Sequence, residues 1–213
     1  MHVYGSVHGF WPELREVTPL RVIAGSAKGF HLRSLSGYRT RPTSDRVRGA
    51  LFNILGQYLP GVAFLDLFAG SGAVGIEALS RGAASCVFVD SSREACGIIR
   101  QNLVATGLSS RAEIHCKVVA ASLDIAARLG RVFDFVFVDP PYDRGLASST
   151  FERIASRPVL SPAGMLVIEH SKREHLPAQM DSLAIVRSET YGDTTLSFFK
   201  RTAKEESGGE ASR

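Results

Sequence analysis

Cysteine is scarce in this chain, three in 213 residues, and Cys86, Cys96 and Cys116 form no C-x-x-C pair. An odd count without that spacing argues against a disulfide framework and against a cysteine zinc site, and it suits a reducing compartment. Long apolar runs are missing too. Nothing reaches the length of a membrane span, and residues 1–20 have no continuous apolar core of the signal-peptide kind, so the expected setting is the cytoplasm with no membrane partner and no metal. Positive charge is absent as an excess from most of the chain. Residues 49–213 hold 17 basic against 18 acidic side chains, whereas residues 21–48 hold Arg21, Lys28, Arg33, Arg39, Arg41, Arg46 and Arg48 against Asp45 alone, a net +6. Charge gathered in one arm is an electrostatic footprint for a polyanion, although a solvated face has the same composition.

What is present is organised around Leu65-Asp66-Leu67-Phe68-Ala69-Gly70-Ser71-Gly72-Ala73-Val74-Gly75. Residues 63–68 are apolar apart from Asp66, as in a strand buried on both faces of a parallel sheet, and residues 73–79 follow helical spacing. A ligand is therefore expected over Asp66, Phe68, Ala69, Gly70, Ser71 and Gly72, where glycines let the main chain approach it and unpaired helical N–H groups point at it. The hexad from Gly70 to Gly75 also fits the dinucleotide fingerprint. Two details argue against a dinucleotide: the glycines start four residues after Asp66, and that acid is placed to receive a cationic ligand. Asp-x-x-x-Gly-x-Gly resembles the first motif of S-adenosylmethionine-dependent methyltransferases.

Along the chain, residues 1–19 have no periodicity and are expected to be a disordered extension. Residues 21–25 and 30–35, either side of Ser26-Ala27-Lys28-Gly29, read as a β-hairpin carrying the basic arm. Thr43 or Ser44 caps a helix whose apolar stripe is Val47, Leu51, Ile54 and Leu55. The arm and this leading helix make up residues 20–60. From residue 61 to 201 strands alternate with helices, which implies a parallel sheet with right-handed crossovers, closed by a hairpin around Tyr191-Gly192-Asp193. Residues 202–213 are polar and expected to be disordered.

Asp90 ends the second strand 20 residues after Gly70, where a carboxylate can accept both hydroxyls of an adenosine ribose or cap the helix after Ser91-Ser92. Asp139-Pro140-Pro141-Tyr142 follows the fourth strand. An aromatic amino group is a poor nucleophile because its lone pair is delocalised, so an enzyme that methylates it needs acceptors for its N–H bonds and a fixed line of approach. The Asp139 carboxylate and the Pro140 carbonyl supply acceptors, the prolines stiffen the backbone, and Tyr142 offers a ring for a base taken out of its helix.

Five alternations and a terminal hairpin resemble the class I S-adenosylmethionine-dependent methyltransferase fold, α/β and Rossmann-like, with seven strands. The motifs resemble one family, the RsmD-type methyltransferases of bacterial 16S ribosomal RNA, which methylate N2 of a guanine. The resemblance rests on Arg21-Val22-Ile23-Ala24-Gly25, Arg41-Pro42-Thr43-Ser44-Asp45-Arg46-Val47-Arg48, Leu51-Phe52-Asn53, the glycine stretch with Ser80-Arg81-Gly82-Ala83, and Val138-Asp139-Pro140-Pro141-Tyr142. It implies S-adenosylmethionine held by the glycine stretch, Asp90 and Ser91, with Arg41 and Thr43 near the target base. It also implies 16S RNA or an assembling small subunit as partner; the charge of the arm assigns Lys28, Arg33, Arg39, Arg46 and Arg48 to that contact, and a monomer is expected. Two departures stand out: Gly49 replaces an acid usual in the family, and Val118-Val119 leave only main-chain atoms to hold the adenine amino group. A DNA adenine-N6 methyltransferase, a non-catalytic RNA-binding assembly factor and a Rossmann oxidoreductase are the rival readings.

Overall fold

The computed structural model describes residues 20–35, 45–142 and 144–202. Arg39, Arg41, Thr43, the capping position at Ser44, the N-terminal extension and nearly all of the polar tail lie outside the described residues.

Helix α1 (Asp45–Leu55) leads into β1 (Ala63–Leu67), α2 (Ala73–Ser80), β2 (Ser85–Asp90), α3 (Arg93–Thr106), β3 (Ala112–Cys116), α4 (Val119–Arg128), β4 (Phe133–Val138), α5 (Leu146–Ala155) and β5 (Leu160–Ser171). Then come β6 (Gln179–Met180), β7 (Leu183–Tyr191) and β8 (Thr194–Arg201). The sheet runs β3-β2-β1-β4-β5-β8-β7-β6. Strands β1 to β5 pair in parallel, and β8 enters antiparallel beside β5. Eight strands form rather than the expected seven, because two residues, Gln179 and Met180, pair with β7 after β5. A two-residue strand is too short to leave a periodic signature.

Period-two alternation sorts β1 between two cores. Phe64 packs on one face with Leu51 and Phe52 of α1, Ile76 of α2 and Ile99 of α3. Leu65 and Leu67 pack on the other with Leu123 of α4 and Phe151 and Ile154 of α5. Each large apolar side chain so buried stabilises the fold by roughly 1.5–3 kcal/mol before entropy is subtracted. At Gly75 the helix lies so close to the sheet that a Cβ would meet Phe88 at 2.3 Å, so α2 packs only with glycine there.

The arm is a shorter and less regular hairpin than the two apolar limbs suggest. Its two limbs share one antiparallel bridge, Arg21 with His31, and the segment between is turns. Val22, Gly29 and Leu32 donate across the limbs to the carbonyls of Phe30, Val22 and Leu20 at 3.0, 2.9 and 2.8 Å, while the N–H groups of residues 23, 24, 26 and 27 go to α2. Ile23 and Ala24 donate to the two oxygens of Glu77 at 2.7 and 2.9 Å, and Ala27 donates to Ser80 Oγ at 2.9 Å. Gly25, at φ +83°, lies against Ser80, whose carbonyl a Cβ would meet at 2.0 Å. The pairing between the limbs is therefore short, and the tip of the arm is fastened to α2 by side-chain and carbonyl acceptors.

Candidate active site

Parallel strands bring their carboxyl ends to one edge, where ligands bind in open α/β sheets. That edge joins the three stretches carrying the expected chemistry. Ala69 N–H donates to the Val89 carbonyl at 3.0 Å, Asp139 N–H to the Leu67 carbonyl at 3.3 Å, and Gly70 N–H to Asp90 Oδ2 at 2.9 Å. The glycine turn, the end of β2 and the start of Asp139-Pro140-Pro141-Tyr142 are thus bonded to one another.

Within the turn, Phe68, Gly70 and Gly72 have φ of 61°, 55° and 77°. Glycine takes that conformation freely, whereas for Phe68 it is strained and persists only because its neighbours enforce it. A Cβ added at Gly70 would meet nothing nearer than the Phe68 carbonyl at 4.0 Å, so the backbone is open on that side to a bound molecule. Asp90 uses one lone pair of each oxygen, Oδ2 for Gly70 and Oδ1 for the Ser92 N–H at 2.8 Å. Ser92, not Ser91, caps α3, accepting from Ala95 N–H at 3.2 Å, and Ser91 is exposed beside it. The Asp90 carbonyl accepts from Lys117 N–H at 3.0 Å and from the Cys96 thiol at 3.5 Å, and burial pushes that thiol up to about 12. Val118 is 60% exposed at the head of α4, whereas Val119 is buried.

Asp66 does not line the cleft as expected. Its side chain is 2% exposed, lies inside β1 rather than at its end, and accepts the Gly75 N–H at 2.9 Å. It braces the first turn of α2 from beneath and takes one of the helical N–H groups expected to face the ligand. Burial holds its carboxyl up to about 8, opposed by that N–H bond and reinforced by the charge of Asp90.

Asp139 and Pro141 are half-buried and Pro140 is buried. The Tyr142 hydroxyl donates to Glu169 Oε1 at 3.1 Å and pairs with Thr194 Oγ1 at 3.0 Å, which tethers the ring to β5 and β8. Burial, then the Glu169 charge, keeps its phenol above the usual range, so it stays a donor. His170 is buried, one ring nitrogen paired with Ser197 Oγ at 2.8 Å.

The basic arm divides. Lys28, Arg33 and Arg46 are exposed. Arg48, expected among the RNA contacts, is instead fully buried: its Nη2 donates to Asp45 Oδ1 at 2.9 Å and to the Arg21 carbonyl, and its Nε lies 3.7 Å from Glu77. Burial lowers its pKa while Glu77 and Asp45 oppose the shift. It occupies the apolar stripe of α1 one residue after Val47, and no phosphate reaches it there.

Two residues that carry this arrangement escaped sequence reasoning. Glu77 takes the two arm N–H groups and a fork from Arg81, Nε and Nη2 each at 2.8 Å. Its signal was an acid within the otherwise apolar Ala-Val-Gly-Ile-Glu-Ala-Leu, which has to be paired when the helix is buried all round. Asn102 bonds both Arg33 and Ser71. Nothing local marked it beyond an amide in mid-helix. Among the described residues no helix is long and apolar enough to cross a membrane, and no group of metal-ligating side chains forms.

The family model described as conserved hypothetical protein 95 matches residues 20–200. YlbH of Bacillus subtilis, whose name marks it as a candidate rRNA methyltransferase, is 38% identical over 85% of this chain and 99% of its own length. Ribosomal RNA small subunit methyltransferase D of Escherichia coli K12 is 32% identical over 90% of this chain and 94% of its own. Among solved structures, a candidate methyltransferase of Escherichia coli, yhhF, superposes with a TM-score of 0.74 at 32% identity, over 88% of this chain and 100% of that one. The chain therefore belongs to the RsmD family, of which the Escherichia coli ribosomal RNA small subunit methyltransferase D is a member.

Proposed function

We propose that this protein transfers the methyl group of S-adenosylmethionine to the exocyclic N2 of a guanine in 16S ribosomal RNA of the small subunit. The observation that carries this reading is the bonding of the glycine turn, Asp90 and Asp139 at one sheet edge. Asp90 retains lone pairs for ribose hydroxyls, and the open side of Gly70 leaves room for the rest of the nucleoside. Ser91 and the main chain at Val118-Val119 complete that rim, so the residues present fit the group. S-adenosylmethionine supplies a methyl carbon already activated by its sulfonium.

What remains for the protein is alignment and charge placement. The Asp139 carboxylate and the Pro140 carbonyl accept the two N–H bonds of the target amino group and direct its lone pair along the transfer line. The Asp139 carboxylate would also receive the proton that the amino nitrogen sheds on methylation. Tyr142, with its hydroxyl tethered, presents its ring to the extruded base. Lys28, Arg33 and Arg46, with Arg39, Arg41 and Thr43, hold RNA phosphates or the segment around the base. The reaction takes place in the cytoplasm.

The test is to incubate the protein with labelled S-adenosylmethionine and small-subunit particles lacking the modification, then digest the RNA. Labelled N2-methylguanosine is expected. Label in any other nucleoside, label instead in adenine-N6 of DNA supplied in a parallel incubation, or tight RNA binding without transfer would overturn the reading.

A further inference from the structure

Asn102 lies in the third turn of α3 and is 1% exposed. Its Oδ1 accepts the Arg33 N–H at 2.8 Å, and its Nδ2 donates to the Arg33 carbonyl at 3.0 Å and to the Ser71 carbonyl at 2.9 Å. Both amide hydrogens are used. One buried side chain therefore grips the arm by both backbone groups of Arg33 and, with the same amide, holds the middle residue of Gly70-Ser71-Gly72. Turning the amide over would set its oxygen against two carbonyls and its NH2 against a donor, so the three bonds stand or fall together. The preceding residue, Gln101, accepts from Arg33 Nη1 at 2.9 Å, so the head of the same arginine is steered by the same helical turn. The other anchors of the arm, Glu77 and Ser80, bond residues 23, 24, 26 and 27 from the second turn of α2 onward.

We propose that Asn102 is a positioning residue that couples the two substrates, so that each binds more tightly when the other is present. Ordering of the glycine turn by the nucleoside fixes the Ser71 carbonyl, that carbonyl fixes the Asn102 amide, and the amide fixes the backbone of Arg33 and the stance of its guanidinium toward phosphate. By linkage the effect is reciprocal. The inference rests on the reading above, in which the turn holds S-adenosylmethionine and the arm holds RNA.

Calorimetry of S-adenosylhomocysteine binding to the full chain, with and without a saturating 16S RNA fragment, tests it. In the unsubstituted protein RNA should tighten the nucleoside by about five- to tenfold, a usual size for coupling between sites. Asn102→Ala should bring that factor below about twofold, whatever it does to either affinity alone. Ser80→Ala, which loosens the arm without touching the turn, should keep the full factor. A structural role for Asn102 would not separate the two variants. Full coupling in Asn102→Ala, or RNA binding without coupling in the unsubstituted protein, overturns the proposal. Failure of the unsubstituted protein to bind RNA at all removes the reading beneath it as well, and is a separate observation. Hydrogen exchange needs no variant: S-adenosylhomocysteine alone should slow exchange at the Arg33 amide, and an unchanged rate there overturns the proposal even if Asn102→Ala does not fold.

Discussion

The glycine turn and the basic arm are both fastened by carboxylates that accept backbone N–H groups, yet the two fastenings differ in reach. In the turn, Asp66 serves Gly75 nine residues on and Asp90 serves Gly70 twenty residues back, within one strand-turn-helix unit and its neighbour. In the arm, Glu77 takes N–H groups 53 and 54 residues away and shares its charge with Arg81 and Arg48. Short reach leaves the turn's outer side open, because what holds it lies beneath or beside it. Long reach does the opposite and draws charge inward, which is why Arg48 counted toward a basic footprint and is found in the core. A segment's net charge says how many charges it has, not which of them face water.

The sharpest break of this comparison is Glu77→Ala. It leaves two arm N–H groups without their acceptor and the buried Arg81 without its counter-charge, while Arg48 keeps only Asp45, and breaking a buried pair from one side costs about 3–5 kcal/mol. Denaturant titration should show that loss, and a change below about 1 kcal/mol would mean that Glu77 is not what fastens the arm. On the other side of the comparison, Asp139→Ala should spare stability and nucleoside affinity while the saturated transfer rate falls about 10²-fold or more. Equal loss of nucleoside binding would move Asp139 into the cofactor site.

Asp66→Asn tests whether the brace beneath the turn is neutral. A carboxyl held near 8 in the fold and about 3.9 in the unfolded chain binds an extra proton when folded between those values, so stability falls with rising pH across that window. The variant should lack this slope, at most about 1.4 kcal/mol per pH unit for one proton. Parallel stability curves for the two proteins between pH 5 and 8 would show that the group is already ionised. Asp90→Ala should weaken S-adenosylmethionine about tenfold without unfolding the protein, since it removes ribose acceptors along with two backbone bonds. Unchanged affinity in a folded variant would confine Asp90 to capping.

The smallest effect is expected outside. Alanine at Lys28, Arg33 and Arg39 should lower the slope of log RNA affinity against log salt by about two to three, and leave nucleoside affinity nearly unchanged. An unchanged slope would take the arm out of the RNA site. Adding Arg48 to the set should lower the slope no further, since a buried guanidinium releases no counterions from RNA.

Periodicity alone carried the alternation of strands and helices, because a strand buried on both faces has to be apolar throughout and a helix packed on it has to be apolar on one side. Spacing alone carried the turn, Asp90 and Asp139-Pro140-Pro141-Tyr142, since strand ends in a parallel sheet converge on one edge. Those are local properties, fixed within a dozen residues. The depth of Asp66, the inward turn of Arg48, the fastening of the arm to α2, and the roles of Glu77 and Asn102 were decided only in three dimensions. Each depends on a hydrogen-bond or charge partner tens of residues away or on the side of a strand to which one residue points, and satisfying a buried polar group is a property of the whole packing rather than of its neighbours in the chain.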